Sequence, residues 1–277
     1  MRHRQRKIAY DQALDLTGHT GIFRSMKQIL LIGMGAGDPE QITVQAINAL
    51  NRAEVIFVLD KGYVDDELLQ LRKAVCERYI THQRYRIVQV QDPRRENDPD
   101  VYERGIEHWH EQRAALFERL IGDELKAQQV GAFLVWGDPS LYDSTLRILD
   151  RVLARGNEAF DYQVIPGITS VQALVARHRV PLNRIGESIL ITTGRRLASM
   201  PDDAPGNVVV MLDAQCSFER HVGQGLDIYW GAYLGTPDEI LVAGRLDDVC
   251  EQIKRLRAEA RSRKGWIMDT YLLRKPV

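Results

Sequence analysis

Between Met26 and His178, short continuous apolar runs take turns with segments of helical spacing. The runs Gln28–Ile32, Val55–Leu59, Val130–Trp136 and Tyr162–Ile165 predict strands, with a further strand over Tyr85–Val90. Helical spacing predicts helices over Gln41–Arg52 (Ile42, Ala46, Ile47, Ala49, Leu50), Asp65–Arg78, Leu141–Ala154 and Thr169–Ala176. Pro99–Gln129 predicts one long amphipathic helix or a helix pair. Strands that are apolar throughout, rather than at every second position, are buried on both faces, which is the pattern of a parallel sheet covered by helices.

The pattern changes near Val180–Glu187. Beyond it, Ser188–Thr192, Asn207–Leu212, Asp227–Leu234, Glu239–Ala243 and Trp266–Leu273 predict strands, with one helix over Asp247–Arg261. Strands that follow one another with little helix between them point to a mixed or antiparallel sheet. The expected fold class is therefore α/β with two α/β domains. Residues 26–182 would form a mostly parallel sheet with helices on both faces, and residues 183–277 a mixed or antiparallel sheet. Met1–Ser25 has no sustained apolar face and is expected to be a disordered extension. It carries Arg2, Arg4, Arg6 and Lys7, but Asp11, Gln12 and Asp15 interrupt Ile8–Leu16, so it has no signal-peptide core.

A length of 277 residues suits one large domain or two of ordinary size. A content of 44% hydrophobic and 27% charged residues excludes wholesale disorder. The net charge of −1 leaves no overall field to gather nucleic acid or an anionic membrane. The longest apolar runs fall far short of the ~18–20 residues of a membrane span. Cys76, Cys216 and Cys250 are odd in number and never in a CxxC pair. That predicts idle thiols in a reducing compartment, here the cytoplasm, and argues against a disulfide scaffold or a thiolate zinc site.

The first strand runs into Gly33-Met34-Gly35-Ala36-Gly37-Asp38-Pro39. Asp38 as N-cap, Pro39 at the first helical position and Gln41 three after the cap signal a helix start. Taken alone, such a loop is either a tight turn or a place where a ligand meets the backbone. Asp60 closes the second strand, where a dinucleotide-binding unit would hold ribose hydroxyls. That fingerprint needs GxGxxG, however, and here a capping aspartate follows Gly37 and would repel a pyrophosphate. No GK[ST] follows, so the loop is not a P-loop. Gly137-Asp138-Pro139-Ser140-Leu141-Tyr142 and Pro166-Gly167-Ile168-Thr169-Ser170 also stand at predicted strand ends, where open parallel sheets bind ligands. Three such loops together point to a shared cleft.

The ordered series Gly33–Pro39, Ala46–Leu50, Glu54–Val58, Gly137-Asp138-Pro139, Pro166–Ser170, Thr193-Gly194-Arg195 and Gly235-Thr236 resembles that of the tetrapyrrole methylases. The resemblance runs from about Lys27 to Leu273. It implies two α/β domains, a homodimer, S-adenosyl-L-methionine as cofactor and methyl transfer to a carbon of a corrin precursor. Ala36 departs from the proline most members carry there. Gly33–Thr43 and Val58–Gly62 are most similar to the members that methylate carbon 1 of precorrin-5 and release acetate in cobalamin synthesis. By position, the resemblance implies cofactor contacts from Ala36, Trp136, Gly137, Asp138, Leu141, Thr169, Ser170, Leu212 and Gly235. Asp138 can either bind cofactor hydroxyls or cap the following helix.

Asp60, Lys61 and Tyr142 occupy loop positions expected to face the cleft and are the candidates for acid–base work on the acyl group. His108 and His110 are two apart in a helical segment and point in different directions, so no metal site is expected. Arg84, Arg86, Arg94 and Arg95 are candidates for the carboxylates of a tetrapyrrole, which suit arginine forks. The basic run from Lys254 to Lys264 reads as a solvated helix face. The competing reading is a nucleotide-dependent oxidoreductase with an atypical glycine loop.

Overall fold

A computed structural model describes residues 26–60, 67–93, 102–200 and 206–276. The expectations for Met1–Ser25, Lys61, Arg94 and Arg95 lie outside the described residues. In the first half, β1 (Lys27–Gly33), β2 (Val55–Asp60), β3 (Arg86–Gln91), β4 (Val130–Val135) and β5 (Phe160–Ile165) form a five-stranded sheet in the order β3-β2-β4-β1-β5. Every pairing in it is parallel.

The continuous apolar runs have a direct explanation. Ile29, Leu31, Phe57 and Phe133 enter a core on one face, while Leu30, Ile32, Ile56 and Leu134 enter a second core on the other. The first face is covered by α3 (Tyr102–Glu124) and α4 (Thr145–Arg155), whose Phe117 stacks on Phe133 with ring centroids 4.3 Å apart. The second is covered by α1 (Val44–Leu50) and α2 (Glu67–Tyr79). β3, at the sheet edge, alternates between exposed and half-buried positions instead. Pro99–Gln129 resolves into a single helix among the described residues.

The second sheet takes β6 (Leu190–Thr193), β7 (Asn207–Met211), β8 (Asp227–Ala232), β9 (Ile240–Arg245) and β10 (Asp269–Arg274) in the order β6-β7-β10-β8-β9. Only β6 and β7 run parallel; the other pairs are antiparallel, so the sheet is mixed. A short helix, α6 (Gly194–Ala198), follows β6 without a strong sequence signal, and α7 (Leu246–Lys264) follows β9. α5 (Ser170–His178) leaves the first sheet at Thr169 and packs on β8 and β10 of the second. Val171 and Leu174 of α5 share a core with Ala36, Val209, Leu234 and Leu272, which joins the two halves.

Two helix starts differ from expectation. Asp38 does accept a hydrogen bond from Glu40 N–H at 2.8 Å, but the turn it caps is a 3-10 turn over Pro39–Gln41. α1 begins at Val44 with its own cap, Thr43, whose hydroxyl accepts from Ala46 N–H. Likewise α4 begins at Thr145, not Leu141, because the loop after β4 runs on through Ser144.

Candidate functional site: a cleft at three glycine loops

β4, β1 and β5 are neighbours, so the loops that follow them emerge side by side at the carboxyl edge of the sheet. Their backbones touch. Gly35 and Gly137 form an isolated antiparallel bridge, with Gly137 N–H donating to Gly35 O at 2.8 Å. A Cβ on Gly33 would stand 2.6 Å from Gly167 N and 2.8 Å from Gly137 O, closer than real side chains approach. Gly137 itself has φ +67, the left-handed region that glycine enters freely.

Asp138 fixes two of these loops to each other. Its Oδ1 accepts from Ser140 N–H at 2.8 Å and from the Ser140 hydroxyl, and its Oδ2 accepts from Gly167 N–H at 2.8 Å. Burial alone would raise its pKa, but these donors win and hold the carboxyl below its usual range. The capping alternative does not describe this geometry. Asp138 caps no helix, and both of its oxygens are engaged within the protein. The first loop is held from inside as well, since Ala36 N–H donates to Gln41 Oε1 at 3.0 Å. From the second half, the Gly235 turn closes over it. Gly235 has φ +78, and a Cβ there would meet Asp38 N at 2.6 Å.

These loops open into a cleft of about 690 Å3. Ala36, Trp136, Gly137, Asp138, Leu141, Tyr142, Thr169, Ser170 and Leu212 all line it. Gly235 does not, although its neighbours Leu234 and Thr236 do; its place is against Asp38. Thr169 caps α5 with its hydroxyl and belongs to a capping box with Gln172, so its side chain serves the helix. Ser170 Oγ meets Thr270 Oγ1 at 3.0 Å, across the two halves. Tyr142, Leu212 and Tyr233, all cleft-lining, adopt positive φ without being glycine. Such backbone costs of order 1–3 kcal/mol per residue and gathers where a site demands it.

Asp60 is not a cleft wall. It accepts from Gln89 Nε2 at 2.9 Å on the neighbouring edge strand, while Phe57 and Leu59 of its own strand line the cleft. Arg84 and Arg86 are also absent from the lining, and Arg86 pairs with Glu124 at 2.7 Å on the surface. The expected solvated face on α7 holds for Lys254, which binds Glu219, but fails for Arg257. Arg257 is buried, reaches Asp269 Oδ2 at 2.9 Å and the carbonyl of Asp213 at 2.5 Å, and lines the cleft. The Asp213 carboxylate in turn accepts from Ser217 N–H at 2.6 Å and Tyr271 OH at 2.7 Å. Gly194 is required here, because a Cβ at that position would collide with the Asp213 carboxylate.

A second buried pair, Arg113 and Asp92 at 2.9 Å, lies on the first-half wall beside Trp109, whose ring is 4.7 Å from the guanidinium carbon. Sequence reasoning missed it, since a lone arginine in an amphipathic helix gives no signal of its own. Arg257 left one. It takes the place of an apolar residue in the buried stripe Leu246, Cys250, Ile253, Arg257, Ala260. No group of three or more metal-ligating side chains occurs among the described residues, and no described helix is long and apolar enough to cross a membrane.

The family model of Tetrapyrrole (Corrin/Porphyrin) Methylases matches residues 28–250. The chain belongs to that family. As a methylase it is 51% identical, over 250 residues, to a precorrin-6A synthase [deacetylating] of Sinorhizobium sp, covering 90% of this chain and 96% of the relative. The crystal structure of a cobalamin-synthesis-related protein, CobF, from Corynebacterium diphtheriae superposes with a TM-score of 0.79 at 39% identity, covering 91% of this methylase and 99% of that chain. A uroporphyrin-III C-methyltransferase of Thermus thermophilus, solved in complex with S-adenosylhomocysteine, shares the fold at a TM-score of 0.55 and 19% identity, over 89% of this chain and 97% of that one. The oxidoreductase reading falls with this result. Its physical weakness is visible in the methylase itself, where the glycine loops carry Asp38 and Asp138 and no cation to meet a pyrophosphate.

Proposed function

We propose that this methylase is a precorrin-6A synthase: it transfers a methyl group from S-adenosyl-L-methionine to carbon 1 of precorrin-5 and releases acetate. The observation that carries the reading is the 51% identity to a deacetylating precorrin-6A synthase over nearly the full length of both chains. The cleft suits the cofactor. Its glycine loops offer backbone approach, Leu141 and Leu212 offer apolar surface, and the acidic loops favour a sulfonium over a phosphate. We extend the reading to a homodimer in the cytoplasm.

When bound, the cofactor supplies an electrophilic methyl on a good leaving group. What the chain must supply is alignment, which can lower a barrier by up to ~7–11 kcal/mol. The bridged loops around Gly33, Gly137 and Gly167 are stiff enough for that task, since each glycine is packed on the next. Arg72 and Arg261 also line the cleft and are placed to meet the carboxylates of a tetrapyrrole, a task for which a guanidinium fork is suited. Calorimetry with S-adenosylhomocysteine and with NADH tests the cofactor assignment. Binding of the first and not the second is expected, and the reverse would refute it.

A further inference from the structure

Release of acetate requires a base that activates water, and the cleft wall between β4 and α4 contains a pair suited to it. His110 Nε2 lies 3.1 Å from Ser144 Oγ. Ser144 lines the cleft, while His110 is buried behind it on α3. Ser144 is the N-cap residue of α4, and serine at an N-cap ordinarily spends its hydroxyl on the helix N–H groups. Here it does not cap, and Asp143 Oδ1 takes the Thr145 N–H at 2.7 Å in its place. The Ser144 hydroxyl is thus free to meet the imidazole.

We propose that His110, acting through Ser144, is the general base of the deacylation step. This deepens the precorrin-6A synthase reading and rests on it. The Ser144 hydroxyl gives its proton to His110 Nε2 as it takes one from water, and the hydroxide so formed attacks the acyl carbonyl carbon. The bond between that carbon and the ring carbon then breaks. Its electron pair stays in the conjugated macrocycle, where the incoming methyl group takes it up. Acetic acid leaves and ionises, and the imidazolium returns its proton to solvent. Arg113, one turn beyond His110 on α3, lines the same cleft with its charge held in the buried pair with Asp92.

The surroundings keep the imidazole in its basic form. Burial lowers its pKa first, and Arg151 and Arg147 of α4 and Arg113 of α3 lower it further, against an opposing pull from Glu107. A base with a folded pKa below 6.5 is available at neutral pH, and is lost as pH falls through that value.

The test compares full-length wild type with Ser144→Ala, Ser144→Thr and His110→Asn, using precorrin-5 and S-adenosylmethionine. Acetate release, S-adenosylhomocysteine affinity and the His110 imidazole titration by NMR are measured for each. Acetate release should fall at least a hundredfold in Ser144→Ala and His110→Asn and recover in part in Ser144→Thr, with cofactor affinity within twofold throughout. The acid limb of the wild-type rate should coincide with the imidazole titration. Undiminished acetate release by both the alanine and asparagine variants would overturn the pair and leave the reading of the enzyme intact. A wild type that methylates precorrin-5 without liberating acetate would overturn the deacetylating reading and, with it, the base.

Discussion

Asp138 shows how much of this site rests on one carboxylate that need not touch a ligand at all. It holds the β4 loop to the β5 loop through acceptors on both oxygens. Asp138→Asn keeps the shape but turns one acceptor into a donor, which must then face an N–H. We expect S-adenosylhomocysteine affinity to fall about tenfold, or ~1.4 kcal/mol, by calorimetry. An unchanged affinity would mean that the loops hold together without the carboxylate. The sign of the pH effect follows from the lowered pKa. A group depressed below 3.8 contributes stability that is complete above that value and disappears as pH falls through the folded pKa. The acid limb of unfolding should therefore be shallower in the variant. From the sequence, Asp138 was legible as important, because it follows a strand and a glycine. Its actual partner, Gly167, lies 29 residues away and could be found only once β4 and β5 were seen to flank β1.

At the scale of elements, the strands were readable because both sheet faces are covered, so Ile29–Gly33 of β1 and Val55–Val58 of β2 are buried without a break. The helix starts were less so. Asp38-Pro39 carries a sound capping signal and uses it on a 3-10 turn, because Gln41 is drawn back to the Ala36 N–H and α1 waits for Thr43. α7 holds the costliest misreading. Its Arg257 ties the helix to β10 through Asp269 and to the end of β7 through Asp213. Removing one partner of a buried pair leaves the other uncompensated and costs about 3–5 kcal/mol. Arg257→Met should therefore lower the denaturant midpoint sharply. Burial raises the pKa of Asp269 and Arg257 opposes the rise. A raised folded pKa contributes stability that is present at low pH and lost as pH rises through it, and without Arg257 the rise is larger. The variant should thus be less destabilised at acidic than at alkaline pH relative to wild type. Equal losses at both would show that Asp269 finds another partner.

For the whole molecule, α5 is the piece that turns two sheets into one site. Its N-terminus follows the third glycine loop, its first residue meets Thr270, and its apolar face packs on the second sheet. A sequence division near residue 183 is natural by pattern, yet it cannot convey that this helix is shared. Nor could spacing alone bring Asp92, Arg113 and Arg257 to the same cleft as the glycine loops, since they arrive from three separate elements. The motif order carried the family, and the physical chemistry of the cleft carries the claim that one ligand pocket serves both methyl transfer and acyl removal. The most direct measurement is a single-turnover reaction of the full-length protein with precorrin-5 and methyl-labelled S-adenosylmethionine, followed by mass analysis of the corrin and assay of acetate. The account predicts a product that carries one labelled methyl and has lost its acyl carbons, with one acetate for each methyl transferred. A labelled product that retains those carbons, or no transfer of label to the macrocycle, would contradict it.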